Sequence, residues 1–97
     1  MDKAGSLEAD DGDVSLVVQV VSKTETKVFK YGRSLRLGRF MVEDASGKIE
    51  FTLWEDMIDL VKEGDYLVIK RGFVREYRGM KNVTLGKDGE LINLSGE

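Results

Sequence analysis

The chain has 97 residues, 34% of them charged, with no cysteine and no histidine. That length allows one compact core, and the missing residue types exclude disulfides, thiolate or imidazole metal sites, and the usual nucleophile and base pairs of hydrolases. The formal charge of −3 is unevenly placed: residues 1–13 hold five acids (Asp2, Glu8, Asp10, Asp11, Asp13) and one lysine, or −4, which leaves residues 14–97 at +1.

Met1 to Asp13, rich in Asp, Gly, Ala and Ser, reads as a disordered acidic leader or linker that folding does not need. It lacks the basic end and apolar stretch of a secretion signal. No apolar run approaches the roughly 20 residues that cross a bilayer, so the chain reads as intracellular with no membrane partner.

From Val14 the β signals dominate. VSLVVQVVSK (Val14 to Lys23) is a β-branched run, SLRLGRFMVED (Ser34 to Asp44) follows the polar loop KTETKVFKYGRS, and KIEFTLWE (Lys48 to Glu55) follows the turn residues Ala45, Ser46 and Gly47. DMIDLVKEGD then predicts a short helix within about Asp56 to Lys62, capped by Asp56 and stopped near Gly64. YLVIKRGFVREY (Tyr66 to Tyr77) and KNVTL (Lys81 to Leu85) form a hairpin across Arg78, Gly79 and Met80, and Asp88-Gly89 sets a further turn before ELINL.

Three strands, one short helix, then two strands is the order of an all-β, five-stranded Greek-key barrel, the OB-fold. This fold binds oligonucleotides or oligosaccharides across strands two and three, helped by the loops joining strands 1 to 2 and 4 to 5. Residues 14–94 are expected to form it.

Alternation of side chains along a strand then assigns faces. In strand three, Ile49, Phe51 and Leu53 point inward, so Glu50, Thr52 and Trp54, the only tryptophan, point out. In strand two, Gly38, Phe40 and Val42 form the inner set, because the other choice would bury Arg39. Arg39, Thr52 and Trp54 thus share one outer face, with the make-up of a surface that stacks bases and holds phosphates. The hairpin RGFVREYRGMK interleaves Arg71, Arg75, Arg78 and Lys81 with Phe73 and Tyr77, as a single-strand clamp requires. In the loop between strands one and two, Lys30, Tyr31 and Arg33 are further contact candidates. The acidic pairs Glu43-Asp44 and Glu55-Asp56 point apart on their strands and are expected in turns and caps, not in catalysis or metal binding.

VEDASGKIEFTLWED followed by LVKEGDYLVIKRGFVREYRG resembles the OB-fold single-stranded DNA-binding domains of the replication protein A group, especially the archaeal proteins and the short single-strand binding proteins. The likeness covers about residues 14–94. It is carried by the Asp-x-x-Gly turn (Asp44, Gly47), the Leu-Trp strand end (Leu53, Trp54) followed by two acids, the Glu-Gly-Asp lead into strand four (Glu63, Gly64, Asp65) and the aromatic, basic hairpin. The resemblance implies that Trp54, Phe73 and Tyr77 stack on bases. The chain departs from the pattern at Thr84, where short relatives often carry an aromatic residue, and it lacks any counterpart of the zinc module found in some relatives.

The reading is a non-enzymatic module, without cofactor or metal, that binds single-stranded DNA with little sequence preference in replication, recombination or repair. Other OB domains of the same protein or complex are its expected partners, and its setting is cytoplasm or nucleoid if the chain is archaeal. An RNA-binding OB domain and an OB-fold protein-interaction module are the alternatives, the first because stacking and phosphate contacts serve both polymers.

Overall fold

Five strands close into a barrel in a computed structural model that describes residues 1–95. They are β1 (Val14–Lys30), β2 (Arg33–Asp44), β3 (Gly47–Trp54), β4 (Tyr66–Tyr77) and β5 (Met80–Asn93). The barrel order is β1-β2-β3-β5-β4, with β4 returning to β1. All neighbours are antiparallel except β3 and β5, which run parallel over Glu50–Thr52 and Asn82–Thr84. This is the OB-fold arrangement expected from the element order.

The alternation in each strand sets the interior. Leu16, Phe40, Val42, Phe51, Leu53, Leu67, Ile69, Val74 and Val83 are all buried, while their strand neighbours point outward. Each such side chain contributes about 1.5–3 kcal/mol when fully removed from water. β1 serves two neighbours by turning at an irregularity between Val20 and Ser22: its first part pairs with β4 and its second with β2.

A short 3-10 helix, Glu55–Leu60, joins β3 to β4 and plugs one end of the barrel with fully buried Ile58. Gly38 makes room for it, since a Cβ there would lie 2.8 Å from the Ile58 side chain. Asp56 does not cap this helix, contrary to expectation; the helix has no side-chain cap hydrogen bond. The carboxylate that serves the junction is Glu55, which accepts a hydrogen bond from the Arg36 backbone N–H.

Three further features differ from the sequence reading. The β1–β2 connection is no loop: pairing continues to Lys30 and Arg33 across the two-residue turn Tyr31-Gly32. The β4–β5 hairpin likewise turns on Arg78-Gly79 alone, with Tyr77 opposite Met80. In both turns the two central residues have positive φ, 53° and 74° in the first and 53° and 80° in the second, the pattern of the tight turn that matches strand twist.

The third difference concerns residues 1–13. Ala4 and Leu7 are 4% and 5% exposed against the core, and a 3-10 turn spans Ala4–Ser6. Ala4 N–H donates to Asp44 Oδ2 (2.8 Å) and Asp10 N–H to the Val74 carbonyl (2.9 Å), while Val74 N–H donates back to the Asp11 carbonyl (2.8 Å). A segment expected to be disordered on composition thus lies along the barrel, because two apolar side chains and a set of backbone hydrogen bonds suffice to hold it.

Candidate nucleic-acid interface

The outer faces of β2, β3, β5 and β4 form the floor of one open groove, and strand register orders its side chains in rows. Arg39 lies opposite Thr52, Thr52 opposite Thr84, and Thr84 opposite Phe73. The adjacent row runs Met41, Glu50, Asn82, Arg75. On the other side of the first row, Leu37 is the cross-strand partner of Trp54. Successive rows are two residues apart along a strand, about 6.5 Å.

The two tight hairpins supply the walls. The β1–β2 hairpin brings Val28, Lys30, Tyr31 and Leu35 to the groove, and the β4–β5 hairpin brings Tyr77, Arg78 and Met80. Tyr31 and Tyr77 are 90% and 68% exposed, so these rings have no structural burial to account for them. Phe73 and Trp54 are half-buried in the floor. Each of three rings carries a cation over its face: Lys30 over Trp54 at 5.3 Å, Arg75 over Phe73 at 5.4 Å and Arg78 over Tyr77 at 5.3 Å. Such cation–aromatic contacts are worth about 0.5–1 kcal/mol at exposed sites, little enough for a base to displace the cation from the ring.

Charge on the lining is one-sided. Among the described residues, Lys30, Arg39, Arg75 and Arg78 share the lining with a single carboxylate, Glu50. Acids gather elsewhere: Arg36 holds Glu25 (2.8 Å) and Asp59 (2.7 Å) in ion pairs outside the groove. Hydrogen bonds from Arg36 keep both carboxyls below their ordinary values, and the two acids push the guanidinium further up.

Nine of the twelve residues expected from sequence line this groove: Trp54, Phe73, Tyr77, Arg39, Arg75, Arg78, Thr52, Lys30 and Tyr31. Three do not. Arg71 has positive φ (55°) and points to the final part of β5, donating to the Asp88 carbonyl (2.7 Å) and pairing with Glu90 (3.0 Å). Lys81 is held by the leader, with Nζ donating to the Leu7 carbonyl (2.8 Å) beside Glu8 (3.5 Å). Arg33 sits beyond the Tyr31-Gly32 turn, outside the lining. Glu50, expected on this outer face but not as a contact residue, and Asn82 also line the groove. Strand parity puts Glu50 on the face of Thr52 and Trp54, and that signal was available in the sequence.

A family model described as "Single-stranded DNA binding protein Ssb-like, OB fold" matches residues 7–93. The chain belongs to this family. Among curated proteins, this Ssb-like chain is similar to the single-stranded DNA binding protein Ssb of Saccharolobus solfataricus. The two are 22% identical over 95 residues, which cover 97% of the chain and 64% of that relative. The chain therefore spans a little under two thirds of its relative's length.

Solved structures show the same fold. An OB domain from Thermoplasma acidophilum superposes with a TM-score of 0.83 at 12% identity, covering 99% of this chain and 88% of that one. The second OB-fold domain of replication protein A from Methanococcus maripaludis gives 0.74 at 22% identity, covering 99% and 96%. The resemblance read from the sequence agrees with membership of the Ssb-like family. Among the described residues, no helix is long and apolar enough to cross a membrane.

Proposed function

We propose that the domain binds single-stranded DNA in the groove, stacking bases on Trp54, Phe73 and Tyr77 and meeting phosphates with Lys30, Arg39, Arg75 and Arg78. The observation that carries this reading is the set of three rings on one groove, each with a cation within about 5.5 Å of its centre. Stacking uses the π-face that every base has, so affinity depends little on sequence, and the cations follow the backbone. Family membership supports the same ligand.

The protein's own contribution is geometric. The barrel fixes the floor rings at strand positions, and the hairpins place Tyr31 and Arg78 at tight turns above them. Thr52 and Thr84 offer hydroxyls between the rings, and nothing in the arrangement requires bond-making chemistry. Binding without catalysis suits protection or handling of exposed strands in replication, recombination or repair, alongside other OB domains of the same protein or complex.

Titration with unlabelled deoxythymidine oligomers, followed by amide chemical shifts, tests the reading. Shifts confined to the groove residues, with matched RNA oligomers competing more weakly, are the expected result. Shifts elsewhere, or none, would leave a protein-interaction surface as the better account.

A further inference from the structure

Among the described residues, Glu50 is the one carboxylate on the groove, and stacking and phosphate binding do not use it. The residue is half-buried in the floor, between its cross-strand partners Met41 on β2 and Asn82 on β5. None of the ion pairs or side-chain hydrogen bonds among the described residues engages it. Arg75, which completes the row beyond Asn82, lies over the Phe73 ring instead. An unpaired anion in a groove built for a polyanion lowers affinity for every strand equally, unless some strands bring it a hydrogen-bond donor.

We propose that Glu50, flanked by Asn82, reads the edge of a base stacked in the adjacent row and favours bases that carry an amino group. The inference rests on the single-stranded DNA reading above. An ionised carboxylate only accepts hydrogen bonds. Cytosine offers it the N4 amino group, adenine the N6 amino group and guanine the N1–H and N2 donors, whereas thymine presents N3–H between two carbonyl oxygens that repel the anion. Phe73 and Thr52 belong to the next row, about 6.5 Å away, so a base on that ring can turn its edge toward Glu50. Asn82 both donates and accepts, and so supports a neighbouring edge atom of either kind. Sequence tolerance from the rings and a bias from one polar row coexist, because only one base per domain meets Glu50.

The test compares labelled oligomers of 5-methyldeoxycytidine and of deoxythymidine, equal in length, at one salt concentration above pH 7, by fluorescence anisotropy. The two bases share the methyl group and differ at the edge that Glu50 would read. The wild-type domain is expected to bind the cytidine oligomer about fivefold more tightly, the lower end of one good base contact. In Glu50→Gln the ratio should fall to about one while both oligomers still bind. Comparing deoxycytidine with N4,N4-dimethyldeoxycytidine on the wild-type domain repeats the test without a variant, and the dimethylated oligomer should bind more weakly. Equal improvement of both oligomers in Glu50→Gln, or a wild-type ratio of one or less, overturns the proposal and leaves single-strand binding intact. Failure of the wild-type domain to bind any oligomer overturns the single-strand reading and this inference with it.

Discussion

The Lys30 ammonium lies 5.3 Å from the centre of the Trp54 ring. The two residues come from different strands that do not pair at this point: Lys30 ends β1 at the tip of its hairpin, and Trp54 ends β3 on the groove floor. The contact covers the face on which a base would stack, so a base that displaces Lys30 would leave its ammonium free to meet that nucleotide's phosphate. Lys30→Ala should therefore weaken binding and reduce the salt slope by about 0.7, the contribution of one phosphate contact on a single strand. Stability should change by no more than about 0.5 kcal/mol, as for other surface substitutions. Affinity measured over a range of salt, with a urea unfolding curve, checks both parts.

With Lys30, Arg39, Arg75 and Arg78 on the groove, the slope of log affinity against log salt should be about −2 to −3, at roughly −0.7 for each phosphate met. Arg78→Glu should lower both affinity and slope without unfolding the domain, because the residue sits at an exposed hairpin tip. A slope near zero would speak for the protein-interaction alternative.

Arg71 and Arg75 are four residues apart on β4, yet they should behave differently. Arg75→Ala should remove one phosphate contact from the slope, about 0.7. Arg71→Ala should leave the slope unchanged and loosen the end of β5, where the guanidinium holds the Asp88 carbonyl and Glu90. Its cost in stability should stay below about 1 kcal/mol, since both partners are half exposed and solvent screens the pair. Hydrogen exchange at residues 86–90 would report the loosening directly.

The leader should contribute to stability. Leu7→Ala should cost about 2 kcal/mol, the lower end for a buried leucine at a site that can partly relax. Removing residues 1–12 should cost at least as much. The same truncation frees Lys81 from Leu7 and Glu8 and removes an acidic segment near the groove, so single-strand affinity should rise slightly at low salt. Denaturant midpoints of the two variants, with their affinities, separate these effects.

Acid should loosen the leader at Asp44. Burial pushes this carboxyl up, but hydrogen bonds from the Ala4 N–H and from Ser46 outweigh that and hold it below its ordinary value. A folded value below the unfolded one means that the stabilisation is fully present above about pH 4 and is lost as pH falls through the folded value. Glu25, Asp59 and Asp65 are lowered in the same direction by Arg36 and by Asn93. Asp44→Asn should reduce the acid-induced fall in thermal midpoint, and parallel curves for the two proteins would contradict the assignment.

Much of the barrel and groove was legible because strand alternation acts locally. Ile49, Phe51 and Leu53 pack inward and Trp54 faces the groove, as their spacing requires. Arg39 follows from the same rule applied to β2. What stayed hidden depends on contacts distant in sequence. Arg71 and Lys81 look like groove cations in the hairpin, and only the pairing of β4 with the end of β5, and of the leader with Lys81, turns them to other partners. The leader's polar composition masked Ala4 and Leu7, whose burial follows from docking on the barrel, where the Ala4 and Gly5 N–H groups donate to Asp44 and Ser46. Glu50 was legible by parity, but an acid on an outer strand face reads as an ordinary solvated residue.

The central claim is that the Trp54 indole is a stacking platform, and Trp54→Ala tests it most directly when affinity and stability are measured together. Single-strand binding should weaken by about 1–3 kcal/mol, the range for one base on one ring. Folding stability should fall by less than the roughly 3–5 kcal/mol that deletion of a buried large ring costs, because the indole is only half-buried. Added oligonucleotide should also quench the wild-type tryptophan emission, to which Trp54 is the only contributor. A variant that binds as tightly as the wild type but unfolds far more easily, together with wild-type emission unmoved by oligonucleotide, would contradict the account and place the ligand elsewhere on the barrel.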